Sequence, residues 1–358
     1  MKDAAMKYVR NCWYVASWAQ DLDPGHPMSI DILGEPIVLY RGESGRLVAM
    51  EDRCVHRMAQ LSLGRCEAGD RLRCMYHGLL FDPDGKVVEI PGQDTIPPKA
   101  RVRTYPVVEK HSWIWVWMGD PDAAEEALIP PAVGFDNPDY ILGRGHLDYD
   151  AEARLINDNL LDFTHLAFVH RNSFGVEESY GYELPEIRAI ERGVRFSRWA
   201  TRKRRMVADR DTGPCDAFST YDFLIPGVLL MWSGVFPAGT AKALNKAAPD
   251  FSKAMGDVTF TSQAVTPMTR RTSRYFFSWG PHRDHGDEKL RDILMGIADV
   301  AFNEDKVTIE AQQRTIDKTS DPQIMPTAAD RGVTLFNRLV DRMVREENTE
   351  SGGTFAAA

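Results

Sequence analysis

Short apolar runs broken by polar turns fill roughly the first 120 residues of the chain. Residues 36–41 and 47–51 are rich in aliphatic side chains, and the turn residues 42–45 separate them. In residues 113–118 three tryptophans alternate with aliphatic residues, which places the three indoles on one face of a strand. The pattern therefore predicts a mostly β segment, with the tryptophan face packed into a sheet core.

The pattern changes beyond residues 119–131, an acidic stretch with three prolines that marks a candidate domain boundary. Residues 153–169 and 287–318 carry apolar residues three or four positions apart, which is the spacing of one helix face. Residues 182–279, between these two segments, are β-rich. We therefore predict a helix, a run of strands and a long helix. The polar and then small residues 346–358 are expected to form a disordered tail.

Composition and charge narrow the class of protein. The chain has 358 residues, of which 43% are hydrophobic, and its formal net charge is -9. These values are typical of a globular protein with about two domains. The acidic balance argues against a nucleic-acid partner, because phosphate binding needs a basic face. The basic run at residues 202–205 is predicted to be a solvated loop or strand edge, with a docking patch for an acidic partner as the alternative.

The sequence shows neither a membrane span nor a secretion signal. Its longest apolar runs are far shorter than the roughly 18–20 residues that cross a bilayer, and its charged N-terminus has no signal-peptide core. Five cysteines do not make a disulfide scaffold in a chain of this length. We therefore expect a cytoplasmic protein, in which clustered Cys and His residues indicate a metal site.

Two Cys–His pairs form the strongest chemical signal in the sequence. One residue separates Cys54 from His56, and two residues separate Cys74 from His77. Two thiolates on one iron and two imidazoles on the other are the ligands of a Rieske [2Fe–2S] cluster, and two loops can supply them. A Cys2His2 zinc site is one alternative, but the one-residue spacing is tighter than zinc sites usually have. Ordinary core residues are the other. The remaining cysteines have no motif partners and are expected to be buried without a disulfide: Cys12, Cys66 and Cys215.

A second group of metal-ligand types lies in residues 157–170, which begin inside the predicted helix 153–169 and end one residue beyond it. It contains Asn159, Asp162, His165 and His170. Side chains five residues apart project about 140° apart on a straight helix, so the histidines can share a metal only if the helix is irregular or ends before His170. Asp162 precedes His165 by one turn and can hydrogen-bond the imidazole nitrogen that does not face the metal.

An anionic third ligand would complete the 2-His-1-carboxylate triad of non-haem Fe(II) oxygenases. The predicted long helix offers Glu304 and Asp305, which both extend its inward stripe, so periodicity does not choose between them. A histidine pair alone is more often structural than metal-binding. The presence of a Rieske centre in the same chain favours the metal-binding interpretation, because a one-electron carrier and an oxygen-activating iron can work together.

These motifs together resemble those of the Rieske non-haem iron oxygenases in their large α-subunit form. More narrowly, the chain looks like the group that contains vanillate O-demethylase oxygenase components, toluenesulfonate methyl-monooxygenase and dicamba demethylase. The resemblance extends over most of the chain. Its segments are residues 10–18, 49–56, 73–78, 89–93, 106–109, 158–165, 304–306 and 310–313.

The resemblance implies an α+β fold with two domains. Residues 1–125 would form an all-β Rieske [2Fe–2S] domain. Packing of its N-terminal residues on the catalytic domain is an alternative. Residues 126–345 would form a catalytic domain of the helix-grip (START-like) type, with a curved antiparallel sheet around a long helix. The resemblance also implies a homotrimer, in which the cluster of one subunit faces the mononuclear iron of its neighbour.

The resemblance also assigns roles to the candidate residues. The implied cluster ligands are Cys54, His56, Cys74 and His77, and the implied Fe(II) ligands are His165, His170 and Asp305. Asp162 becomes the bridge that carries electrons from the neighbour's Rieske ligand His77. Asn159 becomes a residue close to the iron.

The implied activity is that of the oxygenase component of a multicomponent monooxygenase, which uses O2 to oxidise a methyl group of a small aromatic acid. O-demethylation of a methoxybenzoate to a phenol and formaldehyde is the leading expectation. Ring hydroxylation or dioxygenation and aryl-methyl hydroxylation are alternatives on the same fold, and a Rieske electron carrier is an alternative of another class. The sequence has no flavin or nicotinamide fingerprint, so a separate NAD(P)H-dependent ferredoxin-type reductase is expected as a partner.

Arg274 departs from the pattern of related demethylases, which often carry a histidine before the tyrosine at this place. Family members use this region around the substrate pocket. The guanidinium is therefore a candidate to pair bidentately with a substrate carboxylate or sulfonate. An outward-facing arginine on a strand is the alternative.

Overall fold

The computed structural model of the chain describes residues 8–171, 173–174, 178–202, 214–321 and 323–352. It contains two compact units, one of residues up to 129 together with 266–270, and one of residues 130–265 together with those from 271 onward. The first unit ends in the proline-containing segment, close to the predicted limit at residue 125. No helix within the described ranges is long and apolar enough to cross a membrane.

The described part of the first unit is built mainly from strands. In chain order these are β1 (Trp13–Trp18), β2 (Met28–Ile32), β3 (Glu35–Arg41), β4 (Leu47–Glu51), β5 (Arg65–Glu67), β6 (Arg71–Arg73), β7 (Leu80–Phe81), β8 (Val87–Glu89), β9 (Thr104–Tyr105), β10 (Val107–Lys110) and β11 (Trp113–Trp117). They form three sheets with the orders β1-β11-β10, β2-β3-β4-β9 and β5-β6-β7-β8. Short 3-10 helices lie at Ala19–Asp21, Leu61–Leu63, Pro121–Ala123 and Glu126–Leu128.

The alternating tryptophans lie in β11, the central strand of the first sheet. All five residues of β11 are buried, so both faces of the strand are covered. Trp113 packs against Trp18 with ring centroids 5.0 Å apart, and Trp117 packs against Trp13 with centroids 5.4 Å apart. The predicted tryptophan face is therefore part of the core of this unit.

The two Cys–His segments share one hydrophobic core. Cys54 lies just after β4, and Cys74 follows directly on β6. Both cysteines belong to a buried apolar cluster that includes Leu61, Leu72 and Phe81. Because the loops are anchored in the same cluster, their cysteines are held side by side.

The second unit combines one large antiparallel sheet with helices. The strands are β12 (Gly143–Tyr149), β13 (Glu186–Ile190), β14 (Gly193–Arg202), β15 (Cys215–Leu224), β16 (Val228–Pro237), β17 (Gly256–Pro267) and β18 (Ser273–Pro281), in the order β12-β18-β17-β16-β15-β14-β13. The α-helices are α1 (Ala153–Leu160), α2 (Thr240–Ala243), α3 (Glu288–Lys318) and α4 (Arg331–Gly352). Short 3-10 helices lie at Phe163–Ala167, Glu178–Tyr182, Phe251–Lys253, Arg283–His285 and Ala328–Asp330.

The long helix α3 packs on one face of this sheet. Asp287 caps its first turn by accepting a hydrogen bond from the backbone N–H of Leu290 at 2.9 Å. Phe302, on its apolar stripe, contacts Tyr275 and Phe277 of β18 with ring centroids 5.2 and 4.8 Å away. The predicted long helix and the β-rich stretch before it are confirmed. So is the α+β class, with a β-rich N-terminal part and a C-terminal part of sheet and helices.

The helix predicted over residues 153–169 is shorter than its apolar pattern suggests. It ends at Leu160, and after a break the 3-10 helix Phe163–Ala167 follows. The predicted helix is too long because the apolar stripe continues through a segment that is not α-helical. This break has consequences for the candidate site.

The predicted disordered tail begins too early at residue 346, because α4 continues to Gly352. Glutamate favours helices, and Thr349 Oγ1 donates to the carbonyl oxygen of Arg345 at 2.9 Å within the helix. Residues 353–358 lie outside the described residues. The same holds for residues 203–205 of the basic run and for the N-terminal residues 1–7.

Candidate metal centres and cavity

The first Cys–His loop is a tight turn after β4. The backbone N–H of Cys54 donates to the carbonyl oxygen of Ala59 at 2.7 Å, and the N–H of Met58 donates back to the carbonyl oxygen of Cys54 at 2.9 Å. Met58 has a φ of 58°, in the left-handed region that non-glycine residues rarely adopt. The closed loop buries Cys54 and leaves His56 exposed.

The second loop repeats this closure after β6. The N–H of Cys74 donates to the carbonyl oxygen of Leu79 at 2.9 Å, and the N–H of Gly78 donates to the carbonyl oxygen of Cys74 at 3.0 Å. Gly78 has a φ of 77°, and a Cβ added there would lie 2.9 Å from Pro91. The two loops therefore have one geometry, with Met58 in the place that Gly78 takes in the second.

The four candidate cluster residues meet at these loops. Cys54 and Cys74 are each 1% exposed and belong to the same buried cluster, and their thiol groups interact electrostatically. The rings of His56 and His77 are exposed, with centroids 4.5 Å apart. Burial raises the pKa of the Cys54 thiol, so a thiolate there needs a cation beside it. Two buried sulfurs with two imidazoles beside them form a donor set that fits a [2Fe–2S] cluster.

The end of α1 brings the second group of candidate residues together. Leu161 still donates its N–H to the carbonyl oxygen of Asn157 at 3.0 Å, but Asp162 is extended, with a φ of -134°. Oδ1 of Asp162 accepts from the N–H of Thr164 at 2.9 Å and so caps the next 3-10 helix. This break supplies the irregularity that two metal-binding histidines five residues apart require.

His165 lies on that 3-10 helix, and the chain just before it fixes its orientation. Its Nδ1 lies 2.5 Å from the backbone carbonyl oxygen of Asp162, so Nδ1 carries the proton and Nε2 remains free as a ligand. The sequence-based expectation that the Asp162 carboxylate takes this role is wrong, because that carboxylate caps the helix. Nδ2 of Asn159 lies 3.4 Å from Nε2 of His165 and 3.1 Å from Oδ1 of Asp305.

Glu304 and Asp305 of α3 take different places around His170. Oε2 of Glu304 accepts from Nδ1 of His170 at 2.8 Å and from Oγ of Ser173 at 2.7 Å. Oδ1 of Asp305 lies 3.1 Å from Nε2 of His170 and 3.6 Å from Nε2 of His165. Glu304 therefore orients the imidazole through its far nitrogen, whereas Asp305 faces both free nitrogens. Helical periodicity left this choice open.

These three residues form a donor set that fits a metal ion. One ligand atom from each of His165, His170 and Asp305 lies within 4.8 Å of the others. Asp305 is only 4% exposed, and a buried carboxylate is costly without a nearby cation. Two imidazoles and one carboxylate are the donors of the facial triad that binds non-haem iron.

The protonation tendencies of the two histidines differ. Burial lowers the pKa of His165, which favours the neutral imidazole that binds metals. For His170, burial also lowers the pKa, but the carboxylates of Asp305 and Glu304 raise it by more, so that it lies above its ordinary value. A bound divalent cation takes the place of the proton that these two carboxylates attract.

A cavity of about 150 Å³ adjoins this group of residues. Its walls come from α1, the 3-10 helix after it, α3 and the strands β14 to β18. Most of the lining is apolar or aromatic and includes Phe163, Leu166, Phe174, Phe218, Met231 and Trp279. Its polar lining includes Arg198, Ser219, Ser233, Thr259, Thr261 and Gln263. Such a lining suits a small ring-containing molecule with few polar groups.

Two sequence families match the chain. The family described as the Rieske [2Fe-2S] domain matches residues 12–106, and the vanillate O-demethylase oxygenase C-terminal domain matches residues 149–346. The second match covers more than half of the chain and contains the His165, His170 and Asp305 group. The chain belongs to the Rieske non-haem iron oxygenases.

Relatives of nearly full length support this family assignment. The iron-sulfur subunit of the toluene-4-sulfonate monooxygenase system of Comamonas testosteroni is 39% identical and covers 97% of this chain and 99% of its own. The vanillate O-demethylase oxygenase subunit of Pseudomonas sp. (strain HR199 / DSM 7063) is 32% identical, with coverages of 98% and 99%. A crystal structure of dicamba monooxygenase with non-haem iron and dicamba is 25% identical, with coverages of 97% and 100% and a TM-score of 0.77.

This Rieske non-haem iron oxygenase therefore has two cofactors, a [2Fe–2S] cluster in its Rieske domain and a non-haem iron in its C-terminal domain. It is the oxygenase component of a multicomponent monooxygenase. The cofactors and the enzyme class expected from the sequence are thereby confirmed. The electron-carrier and zinc-site alternatives leave the C-terminal oxygenase domain unexplained.

Arg274 is not among the residues that line the cavity of this oxygenase. Its Nε and Nη2 donate to the two carboxylate oxygens of Asp148 in β12 at 2.6 and 2.8 Å. The next residue, Tyr275, is buried against α3, so strand alternation turns Arg274 to the opposite face. The prediction that Arg274 binds the substrate is therefore wrong. Its alternative, an outward-facing arginine on a strand, describes the residue.

Two polar residues of the cavity, Arg198 and Gln263, were not predicted from the sequence. Both lie within long strands, β14 and β17, where register decides which residues face inward. The available signal was weak: Arg198 lies two residues from Phe196 and two from Ala200, on what reads as the apolar face of a strand.

Proposed function

We propose that this chain inserts one oxygen atom from O2 into a methyl C–H bond of a small aromatic acid. The observation that carries the proposal is the convergence of His165, His170 and Asp305 beside a mostly apolar cavity. The names of the relatives support the substrate class, because vanillate, toluene-4-sulfonate and dicamba are aromatic carboxylic or sulfonic acids that carry a methyl or methoxy group.

The proposed ligands of the mononuclear Fe(II) are His165, His170 and Asp305, and those of the cluster are Cys54, His56, Cys74 and His77. When bound, the iron activates oxygen, and the cluster supplies electrons one at a time. A facial triad of protein ligands leaves coordination positions free for other molecules. Asn159, which contacts both His165 and Asp305, is proposed to hold these two side chains in place.

The remaining residues of the site position the ligands and the substrate. The carbonyl oxygen of Asp162 and Oε2 of Glu304 each hold a proton on Nδ1 of a histidine, which keeps Nε2 available. The aromatic and aliphatic walls bind the ring of the substrate, direct its methyl group and exclude water from it. The chain thus contributes orientation and a dry environment.

O-demethylation of a methoxybenzoate is the first candidate reaction. Hydroxylation of the methyl group consumes O2, two electrons and two protons, and it releases water. The resulting hemiacetal then breaks its C–O bond to give a phenol and formaldehyde. The match of residues 149–346 to the vanillate O-demethylase family supports this candidate.

Hydroxylation of an aryl methyl group is the second candidate. The specific observation that favours it is the 39% identity to the toluene-4-sulfonate monooxygenase subunit, compared with 32% for the vanillate O-demethylase subunit. The same insertion into a methyl group bonded to a ring carbon gives a benzylic alcohol and no formaldehyde. The two candidates therefore differ in product and share one site.

We further propose a homotrimer that receives electrons from a separate NAD(P)H-dependent ferredoxin-type reductase. His77 is exposed, and the hydrogen bonds of the Asp162 carboxylate within the described residues use Oδ1. Oδ2 is therefore available to accept a hydrogen bond from the partner's His77. Light scattering should give a mass of three times the 40.4 kDa chain mass.

Replacement of Asp305 by alanine tests the iron site. We expect Asp305→Ala to keep the Rieske absorption spectrum but to lose the mononuclear iron, because two imidazoles alone bind iron weakly. The rate of oxygen-dependent product formation should fall at least about 100-fold. Asp299→Ala, on the exposed side of the same helix, is the control and should change neither property. Full iron content and turnover in Asp305→Ala would contradict the proposed site.

A further inference from the structure

Arg198 places a positive charge on the wall of the cavity. It lies within β14 opposite Ser219 of β15, and both residues line the cavity. Strand alternation puts Arg198 on the same face as Phe196 and Ala200. The guanidinium therefore belongs to the face of the sheet that forms the cavity wall.

This guanidinium is buried and has no anionic partner in the described part of the chain. Arg198 is 8% exposed, and no described carboxylate oxygen lies within 4.0 Å of it. Its Nη1 donates to the carbonyl oxygen of Tyr180 at 3.2 Å, and its Cζ lies 3.9 Å from the centroid of the Tyr180 ring. An arginine has five N–H donors, so most of them have no partner among the described residues.

Two other arginines of the same sheet are paired with carboxylates. Arg195, three residues earlier on the opposite face of β14, binds both carboxylate oxygens of Asp222. Arg274 binds Asp148 in the same bidentate way. A buried cation without an anion is costly, so Arg198 is the place in the cavity where an anion gains most.

Gln263 adds a second unsatisfied polar group to the same cavity. Gln263 is 6% exposed, and its Oε1 has no hydrogen-bond partner among the described residues. Its Nε2 donates only a long bond, of 3.4 Å, to Oγ1 of Thr261. A buried acceptor of this kind suits a ligand that also carries a hydroxyl group. Within the described residues the cavity thus presents a cation without a carboxylate partner and an acceptor without a donor, and the proposed iron ligands line the same cavity.

We propose that Arg198 binds the anionic group of the substrate, a ring carboxylate or sulfonate, through paired N–H···O hydrogen bonds. The planar fork of a guanidinium matches two oxygens of such a group. The apolar walls hold the ring, and the same cavity brings the methyl group to His165, His170 and Asp305. This inference rests on the proposed function, since it identifies the residue that selects acids as substrates.

Binding measurements on the full-length, cofactor-loaded protein test the proposal without reductase or oxygen. Isothermal titration calorimetry compares 4-methoxybenzoate, toluene-4-sulfonate and the neutral 4-methoxybenzamide. In Arg198→Met, the Kd of the preferred anion should rise at least about 30-fold, while the amide should bind as it does to the wild type. Arg198→Lys should lose less, because it keeps the charge without the fork. Arg195→Met removes an arginine from the other face of the same strand and should leave anion binding unchanged.

The outcomes separate this inference from the proposed function. The role of Arg198 would be overturned if the wild type and Arg198→Met bound the anions equally well, or if the wild type bound no anion. It would also be overturned if the wild type bound 4-methoxybenzamide as tightly as 4-methoxybenzoate. If Arg198→Met loses its native thermal transition, the same comparison is made with Arg198→Lys. Anion affinities of Arg198→Lys equal to those of the wild type then overturn the role of Arg198. Anion binding that depends on Arg198 but leads to no oxygenated product contradicts the proposed function alone. The anion with the larger dependence on Arg198 identifies carboxylate or sulfonate as the natural group.

Discussion

Adjacent carboxylates in α3 make different contacts at the iron site. Asp305 faces Nε2 of both histidines, whereas Glu304 binds the far nitrogen of His170 and the hydroxyl of Ser173. A ligand and its supporting residue are thus neighbours in sequence. Because consecutive helical residues point about 100° apart, they reach the same imidazole from two sides.

Removal of the Glu304 carboxylate should weaken iron binding and leave the cluster intact. We expect Glu304→Ala to lower the affinity for the mononuclear iron about 10- to 100-fold, because His170 loses the partner that fixes its tautomer. Glu304→Gln should lose less, since its amide oxygen can still accept from His170 and Ser173. Competition with a chelator measures the affinity. Wild-type affinity in Glu304→Ala would show that His170 does not need this support.

At the scale of residues, the sequence predicts which side chains are metal ligands better than it predicts which groups a given side chain contacts. The motif spacing leads to His165 and His170, and resemblance selects Asp305, because these features are local. Arg274 and Arg198 show what spacing cannot predict. Both are arginines in β-rich segments, and only the sheet register turns one toward Asp148 and the other into the cavity.

At the scale of elements, the end of α1 at Leu160 determines the site. An uninterrupted helix that continued through His170 would point His165 and His170 in different directions. The apolar stripe predicts a helix to Val169 because the stripe continues past the break. The local signal for the end is the Asp162 cap, whose carboxylate competes for the backbone N–H of Thr164. The long helix α3 has a continuous stripe and a capping Asp287, so its pattern is sufficient to predict it.

The packing of α1 against α4 should depend on pH. Asp158 of α1 accepts a hydrogen bond from Nδ2 of Asn337 in α4 at 3.0 Å, and burial raises the pKa of Asp158 to about 6. The folded chain therefore holds this proton more tightly than the unfolded chain, in which the ordinary pKa of 3.8 applies. The free energy of unfolding therefore falls as the pH rises from 3.8 to about 6. Above about pH 6 the stabilisation that comes from protonated Asp158 is lost completely.

Asp158→Asn keeps an acceptor oxygen for Asn337 without the charge. We expect this variant to have a higher Tm than the wild type at pH 8, and a smaller advantage at pH 5, where part of the wild-type Asp158 is protonated. Thermal unfolding at the two pH values measures both. Asp299→Asn, an exposed carboxylate on α3, should show no such pH-dependent advantage. A Tm difference that is the same at pH 5 and pH 8 would contradict the raised pKa.

At the scale of the whole molecule, each unit contains one metal centre. Length, the change of hydrophobic period and the two ligand motifs predict this organisation from the sequence. The inclusion of residues 266–270 in the first unit could not be predicted. It depends on contacts between distant parts of the chain, such as the hydrogen bond from Oγ1 of Thr266 to the carbonyl oxygen of Val15 at 2.6 Å. Local patterns carry no information about such pairs.

Methyl oxidation is tested most directly by measuring formaldehyde released per O2 consumed. The assay uses the iron-loaded protein, a ferredoxin-type reductase and NADH, with a panel of methoxybenzoates, methylbenzoates and arylsulfonates. We expect a ratio near one for a methoxybenzoate. For the second candidate we expect a benzylic alcohol from a methylated acid without formaldehyde. A cis-diol or a ring-hydroxylated product with the methyl group intact would contradict methyl oxidation.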